Sequence, residues 1–86
     1  MATLIYTDDR MVTLEDVSLP SLQAAVEGYI ETVPLGDGRI LIVNEEGKLY
    51  GLPHNNIATT FLAMSGVHPG DYIVGNAVLC EPGEIE

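Results

Sequence analysis

The chain has 86 residues, of which 47% are hydrophobic, and a net charge of -10 from 13 acidic and 3 basic side chains. That length holds one domain, and the apolar content supplies a core, which excludes wholesale disorder. So acidic a chain lacks the basic footprint that nucleic acid or anionic lipid requires, and its single cysteine, Cys80, excludes an internal disulfide and a multi-cysteine zinc site.

Residues 3–7 read as a strand, Asp8-Asp9 as a turn and residues 11–14 as the returning strand of a hairpin. Ser18-Leu19-Pro20-Ser21 is a helix-start signal, because a hydroxyl caps the first amides and proline is tolerated in the first turn. Leu22, Ala25 and Val26 then share one helical face, and Gly28 is expected to supply a left-handed stop. Residues 29–35 are rich in strand formers. Gly36-Asp37-Gly38 signals a hairpin into residues 39–43, whose unbroken Ile-Leu-Ile-Val run predicts burial on both faces.

Asn44-Glu45-Glu46-Gly47 predicts another turn, with a short optional strand at residues 48–50. Asn55 and Asn56 are both good caps for a helix over residues 57–65, which Gly66 closes. Ile57, Ala58, Phe61, Leu62 and Met64 give that helix a wide apolar face. The last strand is expected over residues 72–79, with Gly75 marking a bulge or a close backbone approach. Residues 81–86 read as an acidic, frayed tail after a single domain at 1–80. The order β-β-α-β-β-(β)-α-β predicts an α+β fold, two helices on a mainly antiparallel sheet.

The amino terminus shows no signal-peptide pattern, and the longest aliphatic run, residues 40–43, is far short of a membrane span. The expected compartment is the cytoplasm, where a lone thiol stays reduced. Cys80, beside Val78, Leu79 and Glu81, reads as a small buried hydrophobe, since a reactive thiol needs a cationic neighbour.

No catalytic or metal constellation emerges, and neither an enzymatic activity nor a cofactor is expected. His54 and His68 stand 14 residues apart with no third ligand fixed by spacing. Gly36-Asp37-Gly38-Arg39 lacks a third glycine and leads into a strand. Neighbouring carboxylates such as Glu45-Glu46 point to opposite faces of a strand.

The charge pattern is more informative. Residues 49–70 contain no Asp, Glu, Lys or Arg, although elsewhere one residue in four is charged. An exposed helix normally carries charge on its wet face. Three explanations stand: the segment is a homo-oligomer interface, it lines a ligand site, or it is an ordinary neutral surface. The interface reading selects Thr60, Phe61 and Met64. The ligand reading selects Tyr50, His54, Asn55, Asn56 and Thr59, with one asparagine capping the helix and the other facing a nucleotide-like small molecule. The alternative partner is a basic host protein bound through the carboxylates, as by a DNA mimic.

Three stretches carry a resemblance: residues 22–31 (LQAAVEGYIE), residues 44–59 (NEEGKLYGLPHNNIAT) and residues 70–76 (GDYIVGN). Together they resemble the domain of unknown function family numbered 3846, over roughly residues 20 to 80. Glu27 stands where that family often has glycine, and Asn56 where a basic residue is common. The resemblance implies a phage or plasmid setting and an accessory protein that blunts host defence, by sequestering a nucleotide signal or by binding a host enzyme.

Overall fold

A computed structural model describes residues 2–84. Along the chain lie β1 (Ala2–Ile5), β2 (Met11–Leu14), α1 (Leu19–Val26), β3 (Ile30–Pro34), β4 (Ile40–Asn44), α2 (Asn56–Ser65) and β5 (Ala77–Cys80). The five strands form one sheet in the order β2-β1-β5-β4-β3, with every neighbouring pair antiparallel. The expected α+β class is correct, and the structure adds that the helices lie on opposite faces. Side chains alternate along a strand, so each strand feeds both layers. Ile5, Leu41, Val43, Ala77 and Leu79 pack with Ala58 and Leu62 of α2. Ala2, Leu4, Ile42, Val78 and Cys80 pack with Leu22 and Val26 of α1. Both faces of β4 and β5 are therefore buried, which explains the unbroken apolar run in β4.

Four local expectations change. Residues 48–50 form no strand. Gly47 N–H donates to the Asn44 carbonyl, Tyr50 N–H to Glu46 and Leu52 N–H to Gly47, and these successive turns leave no row of groups for a sheet. The last strand begins at Ala77, not at residue 72, because Gly75 turns left-handed at φ 74°. A Cβ there would meet Leu52 Cδ1 at 2.8 Å, so the close approach expected at Gly75 is real; before it, Val74 keeps one isolated bridge to His54. Glu27, not Gly28, takes the left-handed position after α1. Gly28 is needed for space instead, since a Cβ would lie 2.6 Å from Asn44 Nδ2. Ser18 sits at the start of α1 without a side-chain capping bond; Asp16 accepts from Ser18 N–H at 2.9 Å and from Ser21 Oγ at 2.7 Å. At the other end of the chain, residues 81–84 close a turn in which Glu84 N–H donates to Glu81 O. Residues 85 and 86 of the expected tail lie outside the described residues.

Three asparagines join these layers. Asn44 Nδ2 donates to Val26 O at 3.0 Å, and Asn76 Nδ2 donates to Ala25 O at 3.2 Å, so side chains from the sheet side close the end of α1. Asn55 is fully buried. Its Oδ1 accepts from Ala58 N–H at 3.0 Å, which makes it the cap of α2. Its Nδ2 donates both hydrogens, to Ile5 O at 3.0 Å and Gly75 O at 2.9 Å. Its own N–H donates to Ile73 O at 2.8 Å.

Replacing Asn55 with alanine removes the cap and strands two buried carbonyls, and is expected to cost about 2–4 kcal/mol. Asn55→Asp keeps the cap but sets a carboxylate against the Ile5 and Gly75 carbonyls. It should destabilise at neutral pH and recover partly in acid, where the protonated carboxyl can again donate. Urea unfolding at two pH values checks both; a neutral effect of Asn55→Ala would refute the bridging role.

Candidate functional site

All three cations lie beside a carboxylate of this same chain. Arg10 Nε is 2.8 Å from Asp8, Arg39 Nε is 2.8 Å from Asp37, and Lys48 Nζ is 2.6 Å from Asp71. The first two pairs are two residues apart and are built by turns: each aspartate also accepts its arginine's backbone N–H, and that bond is the main reason its carboxyl titrates low. Lys48 and Asp71 are 23 residues apart and strap a turn to a loop. The Lys48 hydrogen bond, with Tyr72 N–H, holds the Asp71 carboxyl below the ordinary range, and the Lys48 ammonium is raised by the same bond. Lys48 Nζ also lies 4.2 Å from the Tyr72 ring centre.

Two clefts meet at the turn that follows β4, sharing Asn44 and Glu46. The larger, about 470 Å³, runs between β3 and the loop at residues 68–74. Val33 and Val43 belong to its apolar lining, Lys48, Asp71 and Tyr72 line it, and so do Glu31, Glu45 and Glu46. The smaller, about 330 Å³, lies beside the end of α1 and brings Glu27 and Glu46 together with Tyr29 and Tyr50. Both tyrosines are well exposed, at 69% and 65%, and Tyr50 Oη is 3.3 Å from Glu46 Oε1. The β3–β4 register explains the gathering: Glu31 faces Val43, and Tyr29 O accepts Glu45 N–H at 2.9 Å. The Asn44 side chain accepts Glu46 N–H at 2.8 Å and fixes the turn. Four carboxylates and two open aromatic rings thus share one end of the sheet.

The five ligand candidates divide among different roles. Asn55 is engaged by the fold on every polar atom. Thr59 Oγ1 accepts Ile73 N–H at 2.9 Å and ties α2 to the loop at residues 71–74. His54 is exposed and stacks on Tyr72 with ring centres 5.9 Å apart. Asn56 faces solvent at the first turn of α2. Tyr50 opens onto the smaller cleft with Tyr29. Asn55 therefore supplies the cap, and of the two asparagines only Asn56 presents its side chain outward.

The interface candidates lie elsewhere. Phe61 is half-buried beneath the Arg39 guanidinium, 5.7 Å from the ring centre. Thr60 Oγ1 donates to Asn56 O at 2.9 Å, and Met64 is 79% exposed, outside the core that its apolar character suggested. The outward stripe of α2 is Asn56, Thr60, Ala63 and Met64, without a charge. Part of the charge-free segment is explained by burial, since Asn55, Ala58 and Leu62 lie in the core. The sequence reading missed the site around Tyr29, Glu27 and Glu46, because their approach depends on where α1 ends against β4.

Among the described residues no three His, Cys, Asp or Glu side chains gather so as to hold a metal ion, and no helix is long and apolar enough to cross a membrane. Cys80 has no exposed surface, and burial, with the Glu84 and Glu81 charges, pushes its thiol up to about 11.

The class of protein is thus a small acidic α+β domain with one helix on each face of an antiparallel sheet and a carboxylate-tyrosine surface at one end. The chain belongs to the family described as Domain of unknown function (DUF3846), which matches it over residues 1–86. No curated protein and no solved structure matches it.

Two outcomes follow. The Asp71 carboxyl titrates low when folded, so its contribution is complete above the unfolded carboxylate range and disappears as pH falls through the folded value. The Lys48 ammonium titrates high, so its contribution fades as pH rises through that group's folded value. Both groups are about half exposed, so the pair contributes about 0.5 kcal/mol or less. Thermal melts should show the gap between wild type and Lys48→Met narrowing in acid; a gap that widens there would contradict the pairing. Cys80 should resist a soluble alkylating reagent in the native protein and react fully in denaturant, as read by mass spectrometry. Rapid native labelling would contradict its burial.

Proposed function

We propose that this protein is a non-catalytic binding module that occupies a basic surface of a partner protein through the carboxylate-tyrosine end of its sheet. The observation that carries the reading is the gathering of Glu27, Glu31, Glu45 and Glu46 with exposed Tyr29 and Tyr50 around two joined clefts. Arg10 and Arg39 do not line these clefts, and Lys48, which lines the larger one, is paired with Asp71. Carboxylates draw a cationic partner from a distance, and an open tyrosine ring gives an arginine or lysine side chain a face to lie on. This is the acidic-inhibitor reading, with a host protein as partner in the phage-type setting that the family resemblance implies. Binding of a nucleotide-like ligand by Tyr50, His54, Asn56 and Thr59 has less behind it, since Thr59 and Asn55 are engaged within the fold.

The test uses an arginine-rich peptide as probe, with binding read by calorimetry at low and high salt. Binding should weaken as salt rises. Glu45→Gln with Glu46→Gln should weaken it by about tenfold, the equivalent of about 1.4 kcal/mol, whereas Glu15→Gln with Asp9→Asn, which removes the same charge elsewhere, should have a smaller effect. Equal losses from both double variants would reduce the attraction to net charge alone and refute the localised site.

A further inference from the structure

The two edges of the sheet are not alike. In β3 the backbone groups of Ile30, Thr32 and Pro34 turn away from β4, since Leu35 N–H donates inward to Arg39 O and direction alternates along a strand. Pro34 has no N–H, and its carbonyl lies 3.1 Å from His68 Nε2. One of its three outward positions is thereby blocked, and Glu31 adds a charge to the strand, a second guard against a further strand. At the opposite edge, Tyr6 N–H donates to Arg10 O at 2.8 Å, so Arg10, Val12 and Leu14 direct their backbone groups to β1. Met11 and Thr13 direct theirs outward, and among the described residues nothing bonds to them. β2 is short, but it has no proline and no charge, and Met11 and Val12 remain 46% and 43% exposed.

We infer that β2 pairs antiparallel with β2 of a second copy of this chain, joining two five-stranded sheets across a two-fold axis at Thr13. Only registers that set outward groups opposite each other are possible, which leaves two that use the strand's length. In one, Val12 faces itself and Asp9 falls opposite Glu15 of the second copy, two like charges. In the other, Thr13 faces itself, Val12 faces Leu14, Met11 faces Glu15 and Arg10 falls opposite Asp16. The Asp9–Glu15 repulsion excludes the first. Val12 and Leu14 both lie on the α1 side of the sheet, so this register extends the apolar layer that already holds Leu4 and Ala2. A second copy also suits the chain's charge, because β2 is an uncharged stretch of an otherwise acidic molecule. The surface is distinct from the carboxylate-tyrosine end, so neither reading depends on the other.

Sedimentation of the purified protein should give about twice the 9.2 kDa chain mass at high concentration. Thr13→Pro removes an outward N–H that the monomer does not use, and proline is tolerated at such an edge position. It should yield a monomer with an unchanged far-ultraviolet spectrum. A wild-type monomer at the highest attainable concentration, or a Thr13→Pro dimer, would overturn the proposal. Cysteine substitution reads the register independently. Facing residues in a bonded antiparallel pair have Cα atoms about 5.5 Å apart, within disulfide reach. Mild oxidation should therefore cross-link Thr13→Cys and not Val12→Cys, with buried Cys80 silent in both. Cross-linking of Val12→Cys alone would overturn the Thr13 axis.

Discussion

One buried side chain sets the geometry of half the molecule. Asn55 receives the Ala58 amide in the first turn of α2 and bonds the end of β1 and the bend before β5 at the same time. A cap of serine or aspartate would satisfy the helix but would offer no pair of N–H groups for Ile5 and Gly75. Only a primary amide accepts on one side and donates twice on the other within one planar group. Glutamine has the same chemistry but one more methylene, and the closed space around a fully buried residue has no room for it. The helix position, the left-handed bend at Gly75 and the end of β1 are therefore one constraint. Thr59 reinforces it one turn later through Ile73.

The same device governs α1 with different parts. No residue in its last turn is basic, and no glycine takes its left-handed position. Its final carbonyls are answered by Asn44 and Asn76 from the sheet side. Because Asn44 also holds the turn with Glu46, the end of α1 and the acidic turn are tied through one side chain. That tie places Glu27 and Tyr29 beside Glu46 and Tyr50. The candidate site is thus a consequence of how the helix ends, rather than an addition to a finished fold.

Much of the architecture was legible because local signals and burial agree. The hairpin at Gly36-Asp37-Gly38, the apolar run of β4, the Asn55 cap and the Gly66 stop each follow from a local rule that tertiary contacts did not oppose. The errors fall where two rules compete. Gly28 was an obvious stop for α1, yet the close approach of Asn44 needed its missing Cβ more than its flexibility, and Glu27 took the left-handed position. Tyr72, Ile73 and Val74 have strand character, but Gly75 bends the chain toward Leu52 before a ladder can form. The candidate site was legible only in part. Tyr50 lies in a charge-free stretch of the sequence, whereas its surroundings are acidic because α1 and β3 bring Glu27 and Tyr29 across from elsewhere in the sequence. Linear spacing carries no trace of that approach.

The charge distribution follows from the short range of the arginine pairs. An arginine two residues from an aspartate, with the turn's own N–H bond holding the carboxylate, is neutralised where it stands. It cannot relieve repulsion among Glu27, Glu31, Glu45 and Glu46. Redistributing those cations would stabilise the acidic end and diminish its field, so the local pairing preserves the field at some cost in stability. The same arrangement leaves the two sheet edges chemically different. Next to the β3 edge lies the acidic end, and Pro34 and His68 block one of that edge's outward positions. Between Arg10 and Glu15, β2 itself carries no ionised side chain and keeps two outward backbone positions open. A molecule that repels its own copies over most of its surface meets one more readily at an uncharged strand, and β2, the edge strand farthest in the sheet order from β3, also has outward backbone groups to offer.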